Sequence, residues 1–156
     1  QKGFESSMTT GVLGGFPVES MRVRIFDGSF HQVDSDAMSF ELCAKSGYRE
    51  AGRKAKPIIL EPIMKVEVVT PDQYMGDVTG DLNRRRAMLE GMDSRNNLQV
   101  IKAKVPLSEM FGYVTQLRSL SSGRATSVME FSHYSPAPRN IEEEVIAKTK
   151  GNKVGA

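Results

Sequence analysis

The sequence predicts an α+β fold in which a four-stranded antiparallel sheet occupies the second half of a 156-residue chain. Two kinds of periodicity indicate this fold. Apolar residues alternate with charged ones in short runs such as Met64–Val68, a pattern typical of half-buried strands. Between these runs, apolar residues recur at every fourth position, as in Tyr74, Val78 and Leu82, a spacing typical of helices with one buried side.

The first half of the chain predicts two helices separated by a strand. Residues 1–10 have the apolar spacing of the end of a helix, and the glycines and proline of Gly11–Pro17 end it. Met21–Phe26 alternates in the manner of a half-buried strand. Asp34 or Ser35 is placed to cap a second helix. The apolar residues that follow the cap define its predicted buried stripe: Phe40, Ala44, Tyr48 and Ala51, with Cys43 and Gly47 beside them.

The second half predicts the order strand, helix, strand, strand, helix, strand. Residues 70–73 have the composition of a helix start, with Thr70 as the cap. A turn at Ser94–Asn97 joins the two middle strands. The second helix is expected to end at Gly123. Its predicted inward residues are Phe111, Val114 and Leu117.

The last predicted strand is Arg124–Tyr134. This order of elements is the ferredoxin-like split arrangement, which places both helices on one face of the sheet. Beyond Pro136 and Pro138, residues 140–150 are predicted to form a short helix, followed by a frayed tail.

The composition is that of a globular chain with a mild positive charge. Charged residues make up 26% and hydrophobic residues 39% of the sequence, which favours a folded chain over a disordered one. The net charge of +2 is small for a dedicated duplex-binding protein, so any RNA contact must come from local clusters or from shape rather than from global charge. No apolar run has the length of a membrane span and no signal pattern opens the chain, so we expect a cytoplasmic monomer without a membrane partner.

The sequence predicts no catalytic, cofactor-binding or metal-binding residue in this chain. It contains no GxxxxGK[ST] loop for nucleotide phosphates and no G-x-S-x-G elbow around Ser119, Ser121 or Ser122. His133 has no second histidine or cysteine at metal-ligand spacing. Cys43 is the single cysteine, which excludes an internal disulfide, and its expected role is that of a small core residue.

Two basic clusters leave two interpretations open. Arg84–Arg86 and the group around Arg49 and Arg53, with Lys54 and Lys56, could bind nucleic acid or could be solvated helix ends that suit the helix dipole. The open face of the predicted sheet is easier to interpret. Its central positions are charged rather than aromatic, so base stacking on that face is not expected. These positions are Lys65, Glu67, Lys102 and Lys104.

Five strings resemble segments of bacterial elongation factor G at the spacings of that family. The strings are GSFHQVDSDAMSF, KPIILEPIMKVEV, GDVTGDLNRRR, EMFGYVTQLRS and MEFSHY. The resemblance implies that residues 1–58 are the carboxy-terminal part of the fourth domain, a partial ribosomal-protein-S5-like α/β domain. It implies that residues 59–139 are the ferredoxin-like fifth domain and that residues 140–156 are the carboxy-terminal helix and tail. The first strands of the fourth domain are then expected upstream of residue 1.

The resemblance also implies a function. The family uses GTP and Mg²⁺, bound in an amino-terminal domain outside these residues, to drive movement of tRNA and mRNA through the ribosome. This portion is then expected to lack enzymatic activity and to contact rRNA of both subunits and the tRNA and mRNA of the A site. It would be the ribosome-binding part of a translational GTPase.

The resemblance assigns four nucleic-acid-binding residues. His31 matches the leading point of a tip loop that enters the decoding site of the small subunit. Arg118, Ser119 and Ser122 match the contact with large-subunit rRNA near the sarcin-ricin loop. The residue types suit that role, because arginine presents a fork of donors to phosphate and serine hydroxyls reach sugar and phosphate oxygens.

Two alternatives remain open at this stage. One is a ribosome-protection-type paralogue with the same domain plan, whose tip loop would be expected to differ from GSFHQVD. The other is a free-standing ferredoxin-like interaction module that binds a protein through its sheet.

Overall fold

A computed structural model of the chain describes residues 1–151. The helices and strands, in chain order, are α1 (Lys2–Ser7), α2 (Ala37–Lys54), β1 (Leu60–Pro71), α3 (Met75–Arg84), β2 (Met88–Arg95), β3 (Leu98–Pro106), α4 (Tyr113–Leu120), β4 (Thr126–Pro136) and α5 (Arg139–Gly151). They form two compact units. Unit 1 is Gln1–Ile59 together with the chain from Ala137 onward, and unit 2 is Leu60–Pro136.

Unit 2 contains one antiparallel sheet with the strand order β2-β3-β1-β4. Strand β1 is central because it pairs with β3 on one side and β4 on the other, so that Val66 lies opposite both Ala103 and Met129. The pairing of β1 with β4 begins at Leu60 and Pro136. The predicted α+β class and the ferredoxin-like order of elements are therefore confirmed.

The core of unit 2 lies between the sheet and the helices α3 and α4. Val66 of β1, Ile101 of β3, Leu82 of α3 and Leu117 of α4 belong to one cluster of buried side chains. Full burial of such an aliphatic side chain stabilises the fold by about 1.5–3 kcal/mol. Of the predicted stripe, Val78 and Leu82 lie in α3 and are buried, whereas Tyr74 lies just before the helix and is only partly buried. The inward position of Leu117 is confirmed.

Two predictions about helix ends in unit 2 were wrong. Thr70 does not cap a helix, because the ladder between β1 and β3 continues through Pro71 opposite Leu98 and buries the Thr70 side chain. A 3-10 turn then precedes α3. Phe111 is exposed, because Gly112 adopts a φ of +72° and α4 starts only at the next residue.

The late start of α4 changes which of its side chains face the core. Tyr113 and Leu117, four residues apart, are buried, whereas Val114 is exposed. Of the three inward residues predicted for this helix, only Leu117 was right.

Unit 1 is built around the contact between α1 and α2. A Cβ atom at Gly3 would lie 2.7 Å from the Cβ of Ala44, so only glycine lets the two helices approach this closely. The Tyr48 hydroxyl donates a hydrogen bond to the Thr10 carbonyl over 3.3 Å. Helix α5 also belongs to unit 1, and the Ala137 amide donates to the Ile59 carbonyl over 2.9 Å.

Several predictions in unit 1 were wrong. Met21–Phe26 forms no strand, because no strand of unit 1 among residues 1–151 is available to pair with it. The helix cap is Asp36, whose carboxylate accepts from the Ser39 amide, rather than Asp34 or Ser35. Cys43 is exposed and not a core residue.

The stripe predicted for α2 is also only partly buried. Tyr48 is covered, but Phe40 remains 51% exposed and Ala51 is exposed as well, because α1 packs only against the side of α2 that carries Ala44 and Tyr48. The prediction of a helix after Pro138 is confirmed by α5, whereas the predicted fraying of residues 152–156 lies outside the described residues. Within residues 1–151, no helix has the combined length and apolar character needed to cross a lipid bilayer.

Candidate nucleic-acid interface

The end of α4 is shaped by the buried hydroxyl of Ser121. Its Oγ donates a hydrogen bond to the Leu117 carbonyl over 2.7 Å and accepts one from the Ala125 amide over 3.1 Å. The Gly123 amide, in a residue with φ +75°, donates to the Arg118 carbonyl over 2.9 Å. These bonds fold Ser121–Arg124 into a defined turn, which we call the α4 loop.

Arg118, Ser119 and Ser122 are all exposed at this end of unit 2. Arg118 lies in the last turn of α4, and its guanidinium has no hydrogen-bonding or ionic partner among residues 1–151. Ser119 Oγ donates to the Thr115 carbonyl over 3.2 Å, which leaves its lone pairs directed to solvent. The structure therefore brings three of the four predicted site residues together as one polar, positively charged surface.

Tyr74 and Arg124 extend this surface. The Ser122 hydroxyl next to Tyr74 lowers the pKa of that phenol, and the charge of Arg124 adds to the effect. Sequence reasoning treated Tyr74 only as part of a buried stripe and did not assign Arg124 a role. Arg124 could have been found, because it is a basic residue directly after the predicted helix stop, but the contact of Tyr74 with Ser122 has no local signal in the sequence.

His31 lies in unit 1, in the irregular segment between residue 21 and α2. Its backbone amide donates to Ser35 Oγ over 2.8 Å, and its side chain is exposed beside the exposed ring of Phe30. His31 and the α4 loop thus belong to different units.

The arginine triplet at the end of α3 is largely structural. Arg85 Nε donates to Asp81 over 2.8 Å, and its guanidinium lies 5.2 Å from the centre of the Tyr113 ring. Arg86 binds both carboxylate oxygens of Glu61, over 2.6 and 3.2 Å. Only Arg84 is mostly exposed, at 73% of its side chain. Arg85 and Arg86 are therefore held in ion pairs within unit 2, and only Arg84 fits the interpretation of a solvated helix end.

Two lysines on the open face of the sheet form ion pairs with acids of the neighbouring strand. Lys102 is paired with Asp93 over 3.2 Å and Lys104 with Glu90 over 2.7 Å. The hydrogen bond from Lys104 lowers the pKa of Glu90. The central positions of this face therefore carry charged side chains rather than the aromatic rings that a base-stacking sheet requires.

The chain has no feature of a metal centre in the region that the structure describes. No group of three or more His, Cys, Asp or Glu side chains there is arranged to hold a metal ion. The chemistry available at the α4 loop is hydrogen bonding and charge, which suits an anionic, acceptor-rich ligand.

Two family models match this chain. The model described as "Elongation factor G, domain IV" matches residues 1–56, and the model described as "Elongation factor G C-terminus" matches residues 58–145. An elongation factor G of Cytophaga hutchinsonii is 63% identical over 154 residues, which cover 99% of this chain and 22% of that relative. An elongation factor G of Amoebophilus asiaticus is 55% identical over 151 residues, covering 97% and 21%.

A solved structure is similar as well. A crystal structure of a protein from Thermus thermophilus superimposes with a TM-score of 0.87 at 33% identity, over 96% of this chain and 23% of that one. The chain thus spans about a fifth of the length of the curated relatives it matches, at 22% and 21%.

Proposed function

We propose that this chain, which belongs to the elongation factor G family, is the ribosome-binding carboxy-terminal portion of a factor that promotes GTP-dependent translocation of tRNA and mRNA. The family match covers both units. GTP and Mg²⁺ would act in a domain outside these residues, and the portion described here would contribute shape and RNA contacts rather than bond-making chemistry.

The observation that carries this proposal is the unpartnered guanidinium of Arg118 beside two exposed hydroxyls. Arg118, Ser119 and Ser122 present donors from a surface that the buried Ser121 holds in place. An arginine fork binds phosphate oxygens in a bidentate manner, and serine hydroxyls contact sugar and phosphate. We propose that this surface binds the backbone of large-subunit rRNA, with Arg124 as an additional contact.

His31 is proposed to contact the codon–anticodon region of the small subunit. It is exposed in an irregular segment whose backbone is fixed locally by the bond to Ser35. Replacing His31 by alanine in the longer protein should slow translocation and leave GTP hydrolysis intact. An unchanged rate of translocation in single-turnover kinetics would remove His31 from the mechanism.

A protein-binding role for the sheet is less well supported. Two of the three lysines that the sequence places on the open face, Lys102 and Lys104, are already paired with acids of the same sheet, which reduces the charge that is free to select a partner.

The test of the rRNA contact is the affinity of the chain for purified bacterial ribosomes. Arg118→Ala should lose about 1.5–3 kcal/mol of binding free energy, the scale of hydrogen bonds to charged groups, which is about 10- to 150-fold in Kd. Arg84→Ala is the matched control, because Arg84 is an exposed arginine at the end of the other helix of unit 2. Equal affinities of the two variants would refute the assignment of Arg118.

A further inference from the structure

Unit 1 contains an open groove beside α2 that the function proposed above does not use. It has a volume of about 490 Å³ and is lined by α1, the glycine turn behind it and one side of α2. Three basic side chains of α2 contribute to its wall: Lys45, Arg49 and Arg53. We call this feature the basic groove.

The three basic residues form a row along the helix. They occupy positions i, i+4 and i+8, so they lie on one side of α2 and span about 12 Å of its length. Lys54 does not line the groove and is paired with Glu50 over 2.7 Å. Of the basic cluster that the sequence indicated, Arg49 and Arg53 therefore line the groove, whereas Lys54 lies outside it and is ion-paired.

The charge in the row is only partly compensated. Lys45 forms an ion pair with Glu41 over 2.8 Å. Arg49 and Arg53 are exposed, and neither guanidinium has a hydrogen-bonding or ionic partner within residues 1–151. Two adjacent arginine forks, each with five donors, are thus available to a ligand.

The other polar side chains that line the groove offer few free donors. Ser6 and Ser7 Oγ both donate to the Gly3 carbonyl, over 3.1 and 2.8 Å, and the Tyr48 hydroxyl is directed to the Thr10 carbonyl. The ligand that fits must therefore supply acceptors to the arginines, and it must extend along the row because the groove is open rather than enclosed.

We propose that the basic groove binds the sugar–phosphate backbone of ribosomal RNA, as a second contact in addition to the α4 loop. A chain of phosphates meets both requirements, since it presents charged acceptors at regular intervals along its length. A single free phosphate would engage only part of a row of this length. The inference rests on the proposed function, which supplies RNA as the partner of the chain.

The experiment measures binding of the intact chain to purified bacterial ribosomes between about 50 and 200 mM salt. In the double variant Arg49→Gln, Arg53→Gln, the slope of log K against log salt should fall by about 1.4–1.8, which is 0.7–0.9 for each lost phosphate contact. The affinity at low salt should fall at least tenfold. Lys54→Gln is the matched control on the same helix and should change neither quantity. All these residues are exposed, and circular dichroism verifies the fold.

The outcomes separate the basic groove from the α4 loop. If the double variant has an unchanged salt slope and Arg118→Ala weakens binding, the proposal for the basic groove is wrong and the proposal for Arg118 stands. The reverse pattern would overturn the role of Arg118 and support the groove. If the unmodified chain binds no ribosomes, both proposals fail.

Competition experiments identify the chemistry of the ligand. A single-stranded RNA of about 16 nucleotides should displace the chain from ribosomes, and the double variant should bind that RNA more weakly than the unmodified chain does. Polyglutamate of equal charge should compete poorly. If it competes as well as the RNA does, the groove recognises an acidic protein surface and the RNA assignment is wrong.

Discussion

Replacing Ser121 by alanine should destabilise unit 2 through one backbone amide. The Ser121 side chain is fully buried, and its Oγ is the acceptor for the Ala125 amide over 3.1 Å. The substitution removes this acceptor without changing the size of the core appreciably. The Leu117 carbonyl remains satisfied, because the Ser121 amide also donates to it over 3.0 Å.

The magnitude follows from the donor that is left unsatisfied. A buried N–H group without an acceptor costs about 1–3 kcal/mol, and Ala125 is 7% exposed, which puts its amide in that class. For a unit of this size, each kcal/mol corresponds to a change in Tm of about 4–8 °C. We expect Ser121→Ala to lower the midpoint of unit 2 by roughly 4 °C or more.

Ser119→Ala is the matched control for this measurement. Ser119 is on the same helix and also donates its hydroxyl to the carbonyl four residues earlier, over 3.2 Å, but it is exposed and accepts no buried amide. Its variant should lie within about 0.5 kcal/mol of the unmodified protein. Thermal unfolding followed by tyrosine fluorescence reports mainly on unit 2, because Tyr74, Tyr113 and Tyr134 lie there and only Tyr48 lies in unit 1. Equal stabilities of the two variants would show that Ser121 does not hold the α4 loop.

Two further predictions concern buried groups of the two units. Gly3→Ala should lower the free energy of unfolding of unit 1 by about 1–3 kcal/mol, because the new Cβ would lie 2.7 Å from the Cβ of Ala44. Urea unfolding followed by the helical circular dichroism signal measures this loss. An unchanged unfolding midpoint would contradict the close packing of α1 on α2. Burial raises the pKa of Tyr113, whose hydroxyl has no hydrogen-bond partner among the described residues. The stability of unit 2 that this tyrosine contributes is therefore complete below about pH 10 and is lost as the pH rises further, by up to about 1.4 kcal/mol per pH unit. Tyr113→Phe should reduce that loss, whereas Tyr134→Phe, at an exposed position, should not; identical pH profiles for both variants would refute the argument.

The fold of unit 2 was predictable because its strands and helices each carry a local pattern. Val66 and Val68 alternate with charged neighbours, and Val78 and Leu82 recur at helical spacing, so periodicity alone identifies the buried sides. These elements were predicted correctly because the residues that their patterns place inward are the residues that are buried.

The misplaced elements are those whose state depends on distant parts of the chain. Met21–Phe26 alternates like a strand, but alternation supplies no partner strand, and none lies beside it in unit 1 among residues 1–151. Thr70 has the composition of a helix cap, yet the ladder with β3 extends through it. In both cases, long-range pairing overrides the local propensity.

The candidate site was predictable only in part, and by a different route. No local pattern distinguishes Arg118, Ser119 and Ser122 from other polar residues at a helix end, and the family resemblance alone selected them. Residue patterns did identify the basic cluster around Arg49 and Arg53, but only the structure separates these two from the paired Lys54. The contribution of Tyr74 arises from a tertiary contact with Ser122.

The pairing of Leu60 with Pro136 has a consequence for how the chain can be shortened. The chain leaves unit 1 after Ile59 and re-enters it at Ala137, and a hydrogen bond of 2.9 Å joins these two exchange points. Unit 2 is thus inserted at a single point in the sequence of unit 1. A short reverse turn between Ile59 and Ala137 could therefore replace unit 2 and leave α5 attached to unit 1.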